Sequence, residues 1–372
     1  MTTDNHMPRR SIRRKLLTTV SALALCASAL GFDPAWATDA DRATIWIDLG
    51  AQFEKISGFG DPYDPPYTAQ VIADGFMSPL KAERALSRSF GEEGTISFQP
   101  QNSDWIFSAA IRYGRANGGS TKHQQTPGGQ RKVCIGSNCG YLSARHGTVR
   151  FSETNVSNSE LHTVLDFQAG KDLGLGLLGV ESKSVVGFGL RFAQFGSKQN
   201  ANLRADPDFY FPSQIAQHAK YQHTYAITSH MERSFHGVGP SISWNASVPL
   251  IGNAESSEVT LDWGANAAVL FGRQKARGHH QTVGAFYRYR VFKYSSSTHF
   301  QHSGNPDRSR SIVVPNVGGF AGISFRYSDA KISFGYRGDF FFGAMDGGID
   351  TRKSTTLGFN GPFASISFGL GD

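Results

Sequence analysis

From Lys331 onward, apolar residues alternate one by one with small, polar or charged ones. Ile332, Phe334, Tyr336, Phe340 and Phe342 hold one set of positions; Ser333, Gly335, Arg337 and Asp339 hold the other. A period of two marks a β-strand whose two faces meet different surroundings. The preceding run repeats the rule, with Ala321, Ile323, Phe325 and Tyr327 set against Gly322, Ser324 and Arg326. Ser328–Lys331 between them is short enough for an antiparallel hairpin turn. The last run sets Ala364, Ile366, Phe368 and Leu370 against Ser365, Ser367 and Gly369. The pattern fits a soluble sandwich, with polar faces in water, or a transmembrane barrel, with apolar faces in lipid.

Read along the whole chain, the same alternation predicts an all-β antiparallel barrel of about 12 strands, each near the 9–11 residues that a tilted membrane strand needs. Clear examples run from Ala43 to Phe53, Asp104 to Gly114, Val185 to Phe195, Ser241 to Val248, Val259 to Phe271 and Val283 to Lys293. Connector lengths favour the barrel over the sandwich. Long segments at 55–92, 115–160, 197–219, 297–312 and 343–360 read as external loops. Short ones at 100–103, 233–238, 273–281 and 328–331 read as periplasmic turns. The segment 171–183 is long for a turn, and 249–257 is short for an outer loop.

The N-terminus sets the compartment. Arg9, Arg10, Arg13, Arg14 and Lys15 precede an apolar run from Leu16 to Leu30, and Ala35-Trp36-Ala37 supplies small residues for cleavage. Residues 1–37 therefore read as a cleaved signal peptide, leaving 38–372 as the barrel. No later apolar run approaches the length of a spanning helix. With 42 Gly, 28 Phe and a mean hydropathy of -0.31, the composition suits strands in which only every second residue is apolar. The net charge of +7 raises nucleic acid as a partner, but exported chains rarely meet it and four of the positive charges are signal arginines. Cys134 and Cys139, with Ile-Gly-Ser-Asn between them in the largest external loop, read as a local disulfide in an oxidising compartment.

Candidate chemistry is sparse. Gly174-Leu-Gly176-Leu-Leu-Gly179 matches a dinucleotide fingerprint, but a strand rather than a helix follows it. Asp346-Gly-Gly-Ile-Asp350 lacks the spaced oxygens of a calcium loop and reads as a turn. His279-His280 has no acidic or Cys partner at metal spacing. No nucleophile elbow, zinc-protease or P-loop pattern occurs. The sequence thus reads as non-enzymatic, with neither cofactor nor metal.

Blocks of the chain resemble the Legionella-type major outer membrane protein family. They are His162–Asp172, Gly189–Phe195, Gly335–Asp350 and Gly361–Phe368. The resemblance implies a pore-forming barrel in the bacterial outer membrane, with lipid, small hydrophilic solutes and the barrel-assembly machinery as partners. It leaves homo-oligomerisation open. One departure is the terminus, Leu370-Gly371-Asp372, where barrels of this kind end in an aromatic residue.

If the apolar faces meet lipid, Arg112, Arg191, Arg288, Arg290, Arg326 and Arg337 line the lumen with Asp166, Asp262 and Asp339. Unpaired, they would favour anions and give passive, weakly anion-selective diffusion. Paired, they would brace the wall and leave little free field. The alternative function is a structural or adhesin-like surface-interaction barrel with a plugged lumen. The stretch 55–92 separates the two readings: folded inward it closes the pore, folded outward it leaves it open.

Overall fold

The computed structural model describes residues 44–58, 60, 88–125, 130–135, 138–143, 152–173, 183–205, 219–253, 257–290, 293–327 and 329–370. Residues 1–37, expected to be a signal peptide, lie outside them, as do residues 61–87. The strands in chain order are β1 (Thr44–Ser57), β2 (Arg88–Gln99), β3 (Trp105–Gln125), β4 (Gln130–Ile135), β5 (Asn138–Ser143), β6 (Ser152–Asp172), β7 (Lys183–Ala205), β8 (Ala219–Asn253), β9 (Ser257–Arg290), β10 (Lys293–Gly304), β11 (Asp307–Tyr327), β12 (Ala330–Asp346) and β13 (Ser354–Leu370).

Ten of these form a closed antiparallel barrel in the order β9-β11-β12-β13-β1-β2-β3-β6-β7-β8, and a β8–β9 ladder closes the ring. Closure leaves no exposed strand edge around the ring, which a backbone in hydrocarbon requires. The eleventh strand, β10, extends the wall. Gly304 faces His280 and Asp307 faces Arg277, so β10 and β11 follow β9 in one register. Between them stands Asn305-Pro306, where proline has no N–H for the ladder. The Pro306 carbonyl still accepts from Gly278 N at 2.9 Å.

Among the described residues the wall therefore has ten strands rather than about twelve. Residues 233–238 and 273–281 do not turn; they lie inside β8 and β9, strands of 35 and 34 residues. Segment 249–257 is no outer loop, since β8 runs to Asn253 and β9 starts at Ser257. Segment 297–312 is strand apart from the two-residue break at Asn305-Pro306, not a loop. The cause is visible on the outer face of β9. It is apolar from Val259 to Phe271 and then carries Arg273, Lys275, Arg277 and His279. The strand continues while its outer surroundings change, so an alternation of hydrophobicity ends where the strand does not.

The start of β1 and the end of β13 lie at one end of the barrel with the short β2–β3 and β11–β12 connections. The opposite end carries the longer connections, including the separate β4–β5 hairpin between β3 and β6. In that hairpin Cys134 stands directly opposite Cys139. Their side chains, and the bond expected between them, lie outside the described residues.

Candidate functional site

Parity along each strand sends the large apolar residues out and the polar ones in. Phe188 and Phe334 are 60% and 62% exposed, whereas Arg191, Asn316, Ser324 and Asp339 are buried in the lumen. From the terminal end to the loop end, the lumen holds four successive levels.

Nearest the termini is a cavity of about 340 Å³ lined by Asp48, Glu93, Asp262, Lys331 and Arg337 among others. Here Asp262 accepts from Ser247 Oγ at 2.6 Å, from Thr260 Oγ1 at 3.0 Å and from Ser324, and pairs with Lys331 Nζ at 2.6 Å. Arg326 lies over the Trp46 ring, 4.9 Å from its centroid.

The next level is an ion-pair plane. Arg191 grips Asp166 with two bonds of 2.6 and 3.0 Å, and also donates to Asn266 Oδ1 at 2.7 Å and to Asn316. Asn316 in turn donates to Phe340 O at 3.0 Å. Arg112 bonds Asp339 and approaches Asp166 at 3.8 Å, and Arg337 bonds Glu93. Arg337 also lies 5.0 Å from the Phe363 centroid. Three guanidinium groups thus meet three carboxylates. Arg112 on β3 reaches Asp339 on β12, four places away around the ring.

Above the charges is an aromatic layer. Phe195 contacts Phe341 at 4.6 Å, Phe359 at 5.7 Å and Phe235 at 5.8 Å between centroids. His162 lies 4.1 Å from Phe359. Phe195 is on β7 and Phe359 on β13, five steps apart in either direction around the ten-strand ring. Opposite walls therefore touch. Ala193, Leu270, Val314 and Leu357 complete this buried apolar cluster.

The last level is a cap made by the segment between β12 and β13. The β11–β12 ladder ends at Asn316–Phe341, and the register of β12 against β13 shifts between Phe341 and Met345. Gly343, at φ 70°, takes a conformation costly for other residues and permits that shift. Residues 344–349 are then buried. Arg233 donates to the carbonyls of Gly347 and Gly348 at 3.4 and 3.5 Å. Arg308 holds Asp346 at 2.9 Å, the Gly348 and Asp350 carbonyls at 3.0 and 3.1 Å, and that of Ile349. Asp346 Oδ1 accepts from Gly348 N and Lys353 N, tying the turn together.

This cap places Asp350 between two histidines. His280 Nε2 is 2.6 Å from Asp350 Oδ1, and His302 Nε2 is 2.7 Å from Oδ2. Burial works against the charge on Asp350, but hydrogen bonds from His302 and His280 outweigh it and hold the carboxyl below its usual pKa.

Of the residues expected in the lumen, Arg112, Asp166, Arg191, Asp262, Arg326, Arg337 and Asp339 lie on inward positions, six of them in the two levels of charge pairing. The side chains of Arg288 and Arg290 lie outside the described residues. Glu93 is not among the expected residues; it sits in a Glu92-Glu93 doublet on a weakly alternating strand. Nor does spacing show the His280 partners. His302 and Asp350 arrive through the β9–β10 register and the cap, 70 residues away in the case of Asp350.

No protein-family model and no curated protein sequence matches the chain. Among solved structures, it is similar to the outer membrane protease OmpT of Escherichia coli, with 10% identity over 91% of this chain and 99% of that one and a TM-score of 0.36. A major outer membrane protein of Thermus thermophilus is 11% identical over 88% and 99%, with a TM-score of 0.24. The toluene transporter TbuX of Ralstonia pickettii is 10% identical over 88% and 89%, with a TM-score of 0.24.

Proposed function

We propose that the chain is a bacterial outer-membrane barrel whose lumen is closed at rest and whose working surface is its loop end. The outward apolar band supports the membrane setting. On β9 it spans Val259 to Phe271, the length a tilted strand needs to cross hydrocarbon. Basic and polar outward residues follow, where Arg273 bonds Ser309 at 2.7 Å and Arg277 pairs with Asp307 at 3.0 Å. Loop length supports an external loop end, since bacterial barrels keep short turns on the periplasmic side.

One observation carries the closed reading: Phe195 and Phe359, from diametrically opposed strands, lie 5.7 Å apart. Passive diffusion requires that layer, and the ion pairs beneath it, to part. The resemblance to the Legionella-type family implies a pore, and the packing across the lumen argues for closure instead. On this reading the wall's own side chains and the 347–353 cap close the lumen; the part of 55–92 that would decide its role, residues 61–87, lies outside the described residues. The function is then surface interaction through the polar loop end, without catalysis. The test is a planar-bilayer recording of the refolded barrel. A flat baseline with insertion verified by protease protection is expected. Stable, ohmic single-channel steps at low voltage would overturn it.

A further inference from the structure

We propose that His280, His302 and Asp350 form a binding site for a divalent ion of the zinc class at the loop end of the barrel. This inference is independent of whether the lumen conducts. Two imidazole nitrogens and one carboxylate are a donor set suited to Zn²⁺ or Co²⁺, and nitrogen donors disfavour Ca²⁺ and Mg²⁺.

The three side chains come from separate elements and meet at one point. His280 on β9 faces Gly304, and His302 on β10 faces Thr282, so the histidines are diagonal neighbours on the same face. Their rings are 5.2 Å apart. Asp350 comes from the cap. One donor atom from each residue lies within 4.8 Å of the others. Around a tetrahedral ion with bonds of about 2.0–2.1 Å, donors sit about 3.3 Å apart. The His–Asp contacts of 2.6 and 2.7 Å fall on the two different oxygens of Asp350. An ion held by one oxygen therefore needs the contact on that oxygen to lengthen by about 0.7 Å and the other histidine to swing in from a donor separation of at most 4.8 Å, by side-chain rotation alone.

Three further features favour an ion. A Cβ at position 304 would stand 2.6 Å from His280 Nε2 and 2.9 Å from Asp350 Oδ1, so only glycine leaves the space between the donors clear. The cap that presents Asp350 is fixed by Arg308, which holds the Asp350 carbonyl at 3.1 Å and Asp346 at 2.9 Å. His280 is buried, while His302 and Asp350 are part-exposed, which gives a path to the loop end and room for water as a fourth ligand. A bound ion would join β9, β10 and the cap.

The test uses the refolded full barrel in detergent, stripped with a chelator and titrated with Co²⁺. One equivalent should produce the visible bands of four-coordinate cobalt, Zn²⁺ should displace them, and Zn²⁺ should raise the Tm. His302→Ala and Asp350→Asn should each weaken binding at least tenfold and lose the Tm shift, with folding checked by heat-modifiable gel migration. His279→Ala, whose side chain pairs with Asn305 on the outer face, should bind as the parent does. Parent-like cobalt binding by His302→Ala and Asp350→Asn would overturn the proposal, as would a parent barrel that gives no cobalt bands.

Discussion

Replacing Arg191 with Ala tests whether the lumen is a dry, packed interior or a hydrated passage, because the two predict different costs. The Arg191 side chain is 3% exposed and that of Asp166 12%. Among the described residues, removal of the guanidinium leaves Asp166 with Arg112 alone as a charged partner, at 3.8 Å, and strips a donor from Asn266 and Asn316. Breaking a buried pair by deleting one partner costs about 3–5 kcal/mol, because the remaining charge stays desolvated. In a water-filled pore the same pair would be worth about 0–1 kcal/mol. The assay is reversible urea unfolding from lipid vesicles, followed by tryptophan fluorescence, with Asp166→Asn and the double variant completing a cycle. The double variant should recover part of the loss, since no buried carboxylate remains. A single-variant cost below about 1 kcal/mol would refute a packed lumen.

Phe195→Ala and Phe359→Ala should each cost about 3–5 kcal/mol as core truncations, and the pair together should give measurable ion conductance; a silent double variant would place the barrier elsewhere. Phe334→Arg, on the outward face, should cost roughly 2–4 kcal/mol near the bilayer midplane; unchanged stability in liposomes would mean the faces are reversed. Cys134 and Cys139, paired directly across the β4–β5 ladder, should be linked, adding on the order of 2 kcal/mol by closing a short loop. Alkylation of the unfolded, non-reduced chain should label neither, and two labelled thiols would sink the assignment.

The faces of the strands are readable from the sequence because a period of two is a local property. Phe188, Phe334 and Arg191 all fall on the expected side. Strand count is not readable, because β8 and β9 keep their hydrogen bonds where their outer neighbours change from apolar to polar. Gly237 opposite Gly272 adds to the false break. The lumen partners are hidden for a different reason. Which arginine meets which carboxylate depends on how far around the ring each strand sits, and no spacing along the chain encodes that. Glu93 reaching Arg337, or Phe195 reaching Phe359, requires the closed ring first. His280, His302 and Asp350 add a diagonal register and an inward-turning cap, each with its own cause.

The length of β9 means that one strand answers to two solvents. Its apolar outer face ends at Phe271, and His280 lies nine residues beyond. In the proposed membrane setting, at about 3.3 Å per residue and a tilt near 40°, that raises the histidine cluster roughly 20 Å above the hydrocarbon edge. Below that line a lysine at Val269 would be expelled by lipid. Above it, a leucine at Lys275 would fold without complaint and instead make neighbouring barrels stick to one another. On that reading the upper turret can change its outer chemistry as freely as a soluble protein does, while the lower wall stays bound to the membrane's rules.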